Sequence, residues 1–315
     1  MFARTHMQRF CASPMQAQTM MTSQFLIPTQ QRNFGANEKA LKIRMKSVNS
    51  IKKITKAMKM VAASKMAGDL RRLSQGKEYG TNSVDMIFKS DTYMQRRTGA
   101  EEKSDPRYLL CPITSDKGMC GGVNSGIFKT VRDFVADKKR ENIQIFSIGS
   151  KGASAMRRPM PDMLKTNVCE ISTPYNYPTV MALSEHIIQA AEGADKIVVF
   201  YNKFVSAISS DIIEMQLLPR KRFLDQMKYG KLYNQTLPDK NTSNPALYEL
   251  YITANLWTAM LNNASSETSA RVQAMENASK NAGEILEALT LEYNKARQAR
   301  ITMELVEIIS GANAL

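Results

Sequence analysis

The sequence predicts an α/β protein of unusual outline: a long antiparallel coiled coil of N- and C-terminal helices plus a Rossmann-like, mainly parallel α/β domain. Three observations predict it. Residues 246–310 contain no proline and a single glycine, Gly283, so nothing in that run ends a helix. A second helical stretch, about 38–90, opens the folded part of the chain. Between them, about 107–219, short apolar strands alternate with amphipathic helical stretches, the pattern of a parallel sheet covered by helices.

The first 37 residues hold Arg4, Arg9 and Arg32 and no acid, and are rich in Met, Gln, Ser and Thr. That is the composition of a mitochondrial transit peptide, assigned to residues 1–34 with cleavage after Phe34 in the Arg32-Asn33-Phe34 motif. The helix that follows, assigned to 36–100, carries apolar residues at helical spacing: Val48, Ile51, Ile54, Met58 and Val61, roughly continued by Met66, Leu70 and Leu73. So narrow a stripe predicts a coiled-coil seam.

In the α/β domain, assigned to 105–240, strands are expected at 107–113, 143–148, 196–204 and 212–218. Helices are expected at 123–140 and 179–191. The proline-rich stretch 157–177 gives no clear reading, and 220–243 reads as a polar linker. Asn244-Pro245 predicts the start of the last helix, assigned to 244–315, as N-cap and first-turn proline. Gly311 predicts its stop. One helix of that extent spans on the order of 100 Å, and propensity alone does not hold such a rod, so it needs a partner. Its many alanines, among them Ala270, Ala274, Ala278 and Ala282, let a second helix approach closely.

The 315 residues carry a net charge of +14 and 43% hydrophobic residues. The charge points to an acidic partner. No apolar run reaches the roughly 18 residues of a membrane span, so no membrane insertion is expected. Once Cys11 leaves with the presequence, Cys111, Cys120 and Cys169 are too few and too scattered for a disulfide framework or a zinc site. With His186 the one mature histidine, no catalytic residue, metal site or cofactor is expected.

The sharpest local signal is cationic. From Lys39 to Gly68 there is no acid, while Lys52, Lys53, Lys56, Lys59 and Lys65 recur. Lys52, Lys56 and Lys59 share a face, where like charges repel unless an external anion compensates. No aromatic residue interleaves them, which disfavours nucleic acid as the anion; an acidic protein surface is the better partner. A basic mitochondrial nucleic-acid-binding protein is the alternative reading. The loop 114–124 (TSDKGMCGGVN) lies between strand and helix but matches neither GxxxxGK[ST] nor GxGxxG. It reads as a tight turn that offers Lys117 to a partner. The last helix ends in Val306, Ile308, Ile309 and Leu315, a greasy tip too distant to fold onto its own domain. A socket in another protein is expected.

Three segments together resemble the γ subunit of F-type ATP synthases: 42–66 (KIRMKSVNSIKKITKAMKMVAASKM), 115–124 (SDKGMCGGVN) and 266–315, which ends ITMELVEIISGANAL. The presequence makes the chain resemble the mitochondrial form. The resemblance implies a non-catalytic central-stalk rotor that couples proton-driven rotation of the c-ring to ATP synthesis at the β subunits. Its coiled coil would sit inside the hexamer of α and β subunits. Its α/β domain would dock with the δ and ε subunits on the c-ring, peripheral to the matrix side of the mitochondrial inner membrane. By position, the resemblance also implies partner-contact residues. Lys53, Lys56, Met58 and Lys59 would face an acidic loop of β, with Lys117 and Cys120 nearby. Arg271, Gln298 and Thr302 would lie in the coupling part of the long helix, and Val306, Ile309 and Leu315 in an apolar sleeve. Arg300 and Met303 depart from the pattern, standing where a small and a polar residue are usual.

Overall fold

The computed structural model describes residues 34–77, 79, 105–227 and 240–313. The expected transit peptide up to residue 33, the extension of the first helix toward residue 100, the polar stretch 228–239 and Leu315 lie outside the described residues.

Two helices dominate. Helix α1 runs Phe34–Lys77 and helix α6 runs Lys240–Asn313, 74 residues and about 110 Å at 1.5 Å per residue. They pair antiparallel: Gly76 lies against Leu261 and Trp257, Lys59 against Glu276, Lys52 against Gly283, and Glu38 against Arg300. On α1 the residues turned inward are Leu41, Met45, Val48, Lys52, Thr55, Lys59, Ala62, Met66, Asp69, Leu73 and Gly76. Their spacing alternates strictly between four and three, the heptad rhythm of a left-handed coiled coil. Met275, Ala282, Leu286, Leu289, Tyr293, Ala296 and Arg300 answer from α6.

This seam corrects the expected one. Ile51, Ile54 and Val61 are 52%, 54% and 71% exposed and lie outside the coil. The polar Lys52, Thr55, Lys59 and Asp69 lie inside it. The seam mixes Leu41, Val48, Met66 and Leu73 with small and polar residues, while Ile51, Ile54 and Val61 fall outside its four-three spacing. Small residues such as Ala62 and Ala282 let the helices approach closely where they stand.

Between the helices lies a five-stranded sheet: β1 (Tyr108–Pro112), β2 (Ile143–Ile148), β3 (Leu164–Val168), β4 (Lys196–Phe204) and β5 (Ser210–Leu217). The order is β3-β2-β1-β4-β5, parallel except for the β4–β5 hairpin. The order reverses between β1 and β4, as in a doubly wound sheet. Helices α2 (Val123–Ala136) and α3 (Ser150–Met156) cover one face, packing Ile127, Val131 and Met156 on Leu110, Ile145 and Phe200. The other face takes α4 (Tyr177–Ala190), α5 (Arg220–Met227) and the lower part of α6, with Ile187, Tyr248, Ile252, Leu256 and Met260 in one core. Helix α6 is therefore shaft and domain layer at once. Residues 259–263 and 265–269 are buried on every side, gripped by α1 and by the sheet.

Helix α6 starts at Lys240 rather than at Asn244, and Pro245 lies inside it. Only the first turns lose a backbone bond to the proline, where few are formed. Gly311 does not stop the helix, which continues to Asn313. The expected linker contains α5, anchored by the fully buried Phe223. The unread stretch holds β3, an edge strand with three exposed residues, Lys165, Thr166 and Asn167. Paired on one side only and turned to water, it carries no apolar alternation to read.

Candidate functional site

Three zones of the molecule face outward with features that packing within the chain does not explain. They are a cationic and apolar outer face on α1, a collar loop where the domain meets the shaft, and a free helix tip.

Lys53 and Lys56 are exposed, and no ion pair among the described residues reaches them. Met58, Ile54 and Val61 share the exposed part of this helix. Lys59 differs: its Nζ lies 2.7 Å from Glu276 Oε1 across the seam. The anion expected from outside is, for Lys59, supplied by α6. Lys52 is also drawn inward, with its Nζ 3.3 Å from where a Cβ on Gly283 would stand. The one glycine of the mid-shaft thus makes room for a lysine stem. Of Lys52, Lys56 and Lys59, expected to share one external face, Lys52 and Lys59 turn to the seam and Lys56 alone faces out, with Lys53 beside it.

The collar loop leaves the C-terminal end of β1, at the topological switch point. Buried Thr114 anchors it, its hydroxyl donating to Ile148 O at 2.9 Å and accepting from Gly152 N at 3.0 Å. Gly149, at φ +97°, is required here: a Cβ would stand 2.3 Å from Thr114 O. Asp116 Oδ1 accepts from Ser150 N at 2.8 Å, placing a carboxylate at the N-terminus of α3. Side-chain oxygen and loop backbone thus fill the place where a phosphate would approach that helix. Asn124 closes the turn, accepting from Ser115 N at 3.0 Å and donating to Ser115 Oγ at 2.8 Å and to Cys120 Sγ at 3.2 Å.

Cys120, expected at a partner surface, is 3% exposed and faces into the loop. The outward residues are Lys117 and Met119, the latter at φ +61° and 59% exposed. Arg271, also expected to meet a partner, is turned to its own chain. Its guanidinium pairs with Glu267 and reaches Gly118 O at 3.5 Å, tying collar to shaft. Opposite it, Asp69 pairs with Arg72 at 3.0 Å in the seam. Burial pushes the Asp69 carboxyl above its usual range, with Lys65 and Arg72 pulling the other way.

At the far end, every residue from 301 to 313 is exposed; Glu38, in the second turn of α1, meets Arg300, and α6 runs on beyond it. Ile301, Leu305, Val306, Ile308 and Ile309 are 43–68% exposed, an apolar patch that no described residue covers. Gln298 and Thr302 stand one turn apart on the exposed helix surface just below. Among the described residues no group of His, Cys, Asp and Glu could hold a metal ion.

An α/β domain riding on a two-stranded antiparallel shaft, with a bare apolar tip, defines an elongated stalk subunit that works by contact rather than by its own chemistry. Comparisons with known proteins agree. A family model described as ATP synthase matches residues 37–315. The mitochondrial ATP synthase F(1) complex subunit gamma of Dictyostelium discoideum is 35% identical over 293 residues, covering 91% of this chain and 94% of that protein. The mitochondrial ATP synthase subunit gamma of Drosophila melanogaster is 33% identical, covering 94% and 99%. A chain of the Tetrahymena thermophila mitochondrial ATP synthase central stalk and c-ring superposes with a TM-score of 0.65 at 37% identity, covering 72% of this chain and 99% of that one. The chain belongs to the gamma-subunit family of ATP synthases.

Proposed function

We propose that this chain turns as the central-stalk rotor of the mitochondrial ATP synthase and acts on its partners through the three outward zones. It is a non-catalytic subunit. Proton-driven rotation of the c-ring turns the α/β domain, and the shaft carries that rotation into the hexamer of α and β subunits. The α/β domain meets the δ and ε subunits and the ring. The subunit is peripheral to the mitochondrial inner membrane, on the matrix side, and no described helix is long and apolar enough to cross a membrane. The nucleic-acid reading is set aside: the relatives are rotor subunits along nearly their whole length, and part of the lysine cluster serves the seam.

The observation that carries the mechanism is the solitary apolar tip, residues 301–313. A surface of Val306, Ile309 and their neighbours offers few directional hydrogen bonds, so it can turn in an apolar sleeve without a preferred angle. Lys53 and Lys56 on one flank of the outer face, Met58 on the other and Lys117 on the collar make the shaft asymmetric. A rotor biases its partners only through contacts that differ among its orientations. Exposed lysines meeting successive acidic loops of β supply such exchangeable contacts. Arg271 and Cys120 act one step back, by fixing the collar that presents Lys117.

The test is the pair Lys53→Glu and Lys56→Glu in assembled complexes. ATP synthesis falls several-fold while the chain still folds and assembles. Undiminished synthesis would remove the cationic face from the mechanism.

A further inference from the structure

Glu38 is the only acid in α1 before Asp69, and it is turned into the seam. Its side chain is 12% exposed. Arg300 Nη1 lies 2.6 Å from Glu38 Oε2, and the Tyr293 hydroxyl donates to Glu38 Oε1 at 3.1 Å. Arg300 also reaches forward, its Nε 3.4 Å from Glu304 Oε1 on the first turn of the free tip. These four side chains form a line along one face of α6, across the level where the coil ends.

A carboxylate this deeply buried is costly unless paired. The observed register sets it against both Arg300 and Tyr293. Sliding α6 by a heptad one way sets Glu38 against Leu286 and Tyr293, leaving the charge without a cation. Sliding it the other way sets Glu38 against Arg300 and Glu307, adding a like charge. Polar seam residues fix coiled-coil register in this manner. Residues 301–313 are all exposed among the described residues, so the height and azimuth of this stretch follow from the last cross-helix contact.

We propose that Glu38 and Arg300 are a register latch: positioning residues that set the height and angle at which the free tip leaves the coil. The latch explains Arg300, which the sequence marked as a departure. Its consequence for coupling rests on the rotor reading; its existence does not.

The test uses hydrogen exchange on the full chain and the ratio of protons pumped to ATP hydrolysed in reconstituted complexes. Arg300→Glu raises amide exchange over residues 34–48 tenfold or more and lowers the pumping ratio. The swap Glu38→Arg with Arg300→Glu returns both to within about threefold of the parent. Unchanged exchange in Arg300→Glu, or no recovery in the swap, overturns the latch. Exchange that responds while the pumping ratio stays at parental value overturns its positioning role. Failure of the rotor reading looks different: the Lys53 and Lys56 variants then also couple normally.

Discussion

Gly76 packs against Leu261 so closely that a Cβ on Gly76 would stand 2.3 Å from Leu261 Cδ1 and 3.3 Å from Trp257 Nε1. The Leu261 and Trp257 side chains of α6 lie directly on the bare backbone of α1 there. The same closeness, maintained along the seam by Ala62 and Ala282, keeps a two-helix rod thin.

Gly76→Ala is therefore expected to destabilise the chain by about 1–3 kcal/mol, the cost of overpacking a filled interior. Gly68 is the control. It lies in the same helix with nothing within 4 Å of its would-be Cβ, so Gly68→Ala gains roughly 0.5–1 kcal/mol of helix propensity. Thermal or denaturant unfolding of the two variants checks the opposite signs.

Lys59→Gln is expected to cost no more than about 1 kcal/mol. Its bridge to Glu276 is partly open to water, with side chains 38% and 58% exposed. If the bridge supports the shaft rather than a partner, Lys59→Gln reduces ATP synthesis far less than the Lys53 and Lys56 charge reversals do. Synthesis rates of the three sets of complexes, normalised to assembly, decide it.

The Asp69 carboxyl is raised above its usual range chiefly by burial. A raised folded-state value means the group favours folding most below its unfolded value, near 4, and loses that contribution as pH climbs through the folded value. Asp69→Asn resembles the protonated acid at every pH. The stability of the variant relative to the parent is therefore expected to rise from pH 3 toward neutrality. Urea unfolding across that range measures the slope, and a flat or falling difference contradicts the assignment.

Burial pushes the Cys111 thiol up to about 12, while Cys169 is exposed. Alkylation of the folded mature chain at neutral pH is expected to modify Cys169 and to spare Cys111 until the chain unfolds, since the thiolate is the reactive form. Peptide mass analysis before and after denaturation reads this directly.

Much of this architecture is legible in the sequence, for identifiable reasons. The strands Ile143–Ile148 and Lys196–Phe204 are mostly apolar because helices cover both faces of the sheet. The long helix is legible from what it lacks. The seam is legible only in part: Val48, Met66 and Leu73 of the apolar stripe lie in it, while Ile51, Ile54 and Val61 lie outside and Lys52, Thr55, Lys59 and Asp69 take seam positions that hydrophobicity does not mark. Spacing alone cannot assign a partner 217 residues away, as Glu276 is to Lys59. A resemblance transfers the position of Arg271 and Cys120, not the direction of their side chains. In the fold both point inward and hold Lys117 out.

The central claim is that these two helices are an axle. Cys169, exposed just past the end of β3, is an attachment point for a visible marker. With the hexamer fixed to a surface and ATP supplied, the marker is expected to revolve continuously in one direction. A marker that stays fixed relative to the hexamer while the complexes hydrolyse ATP would contradict the account.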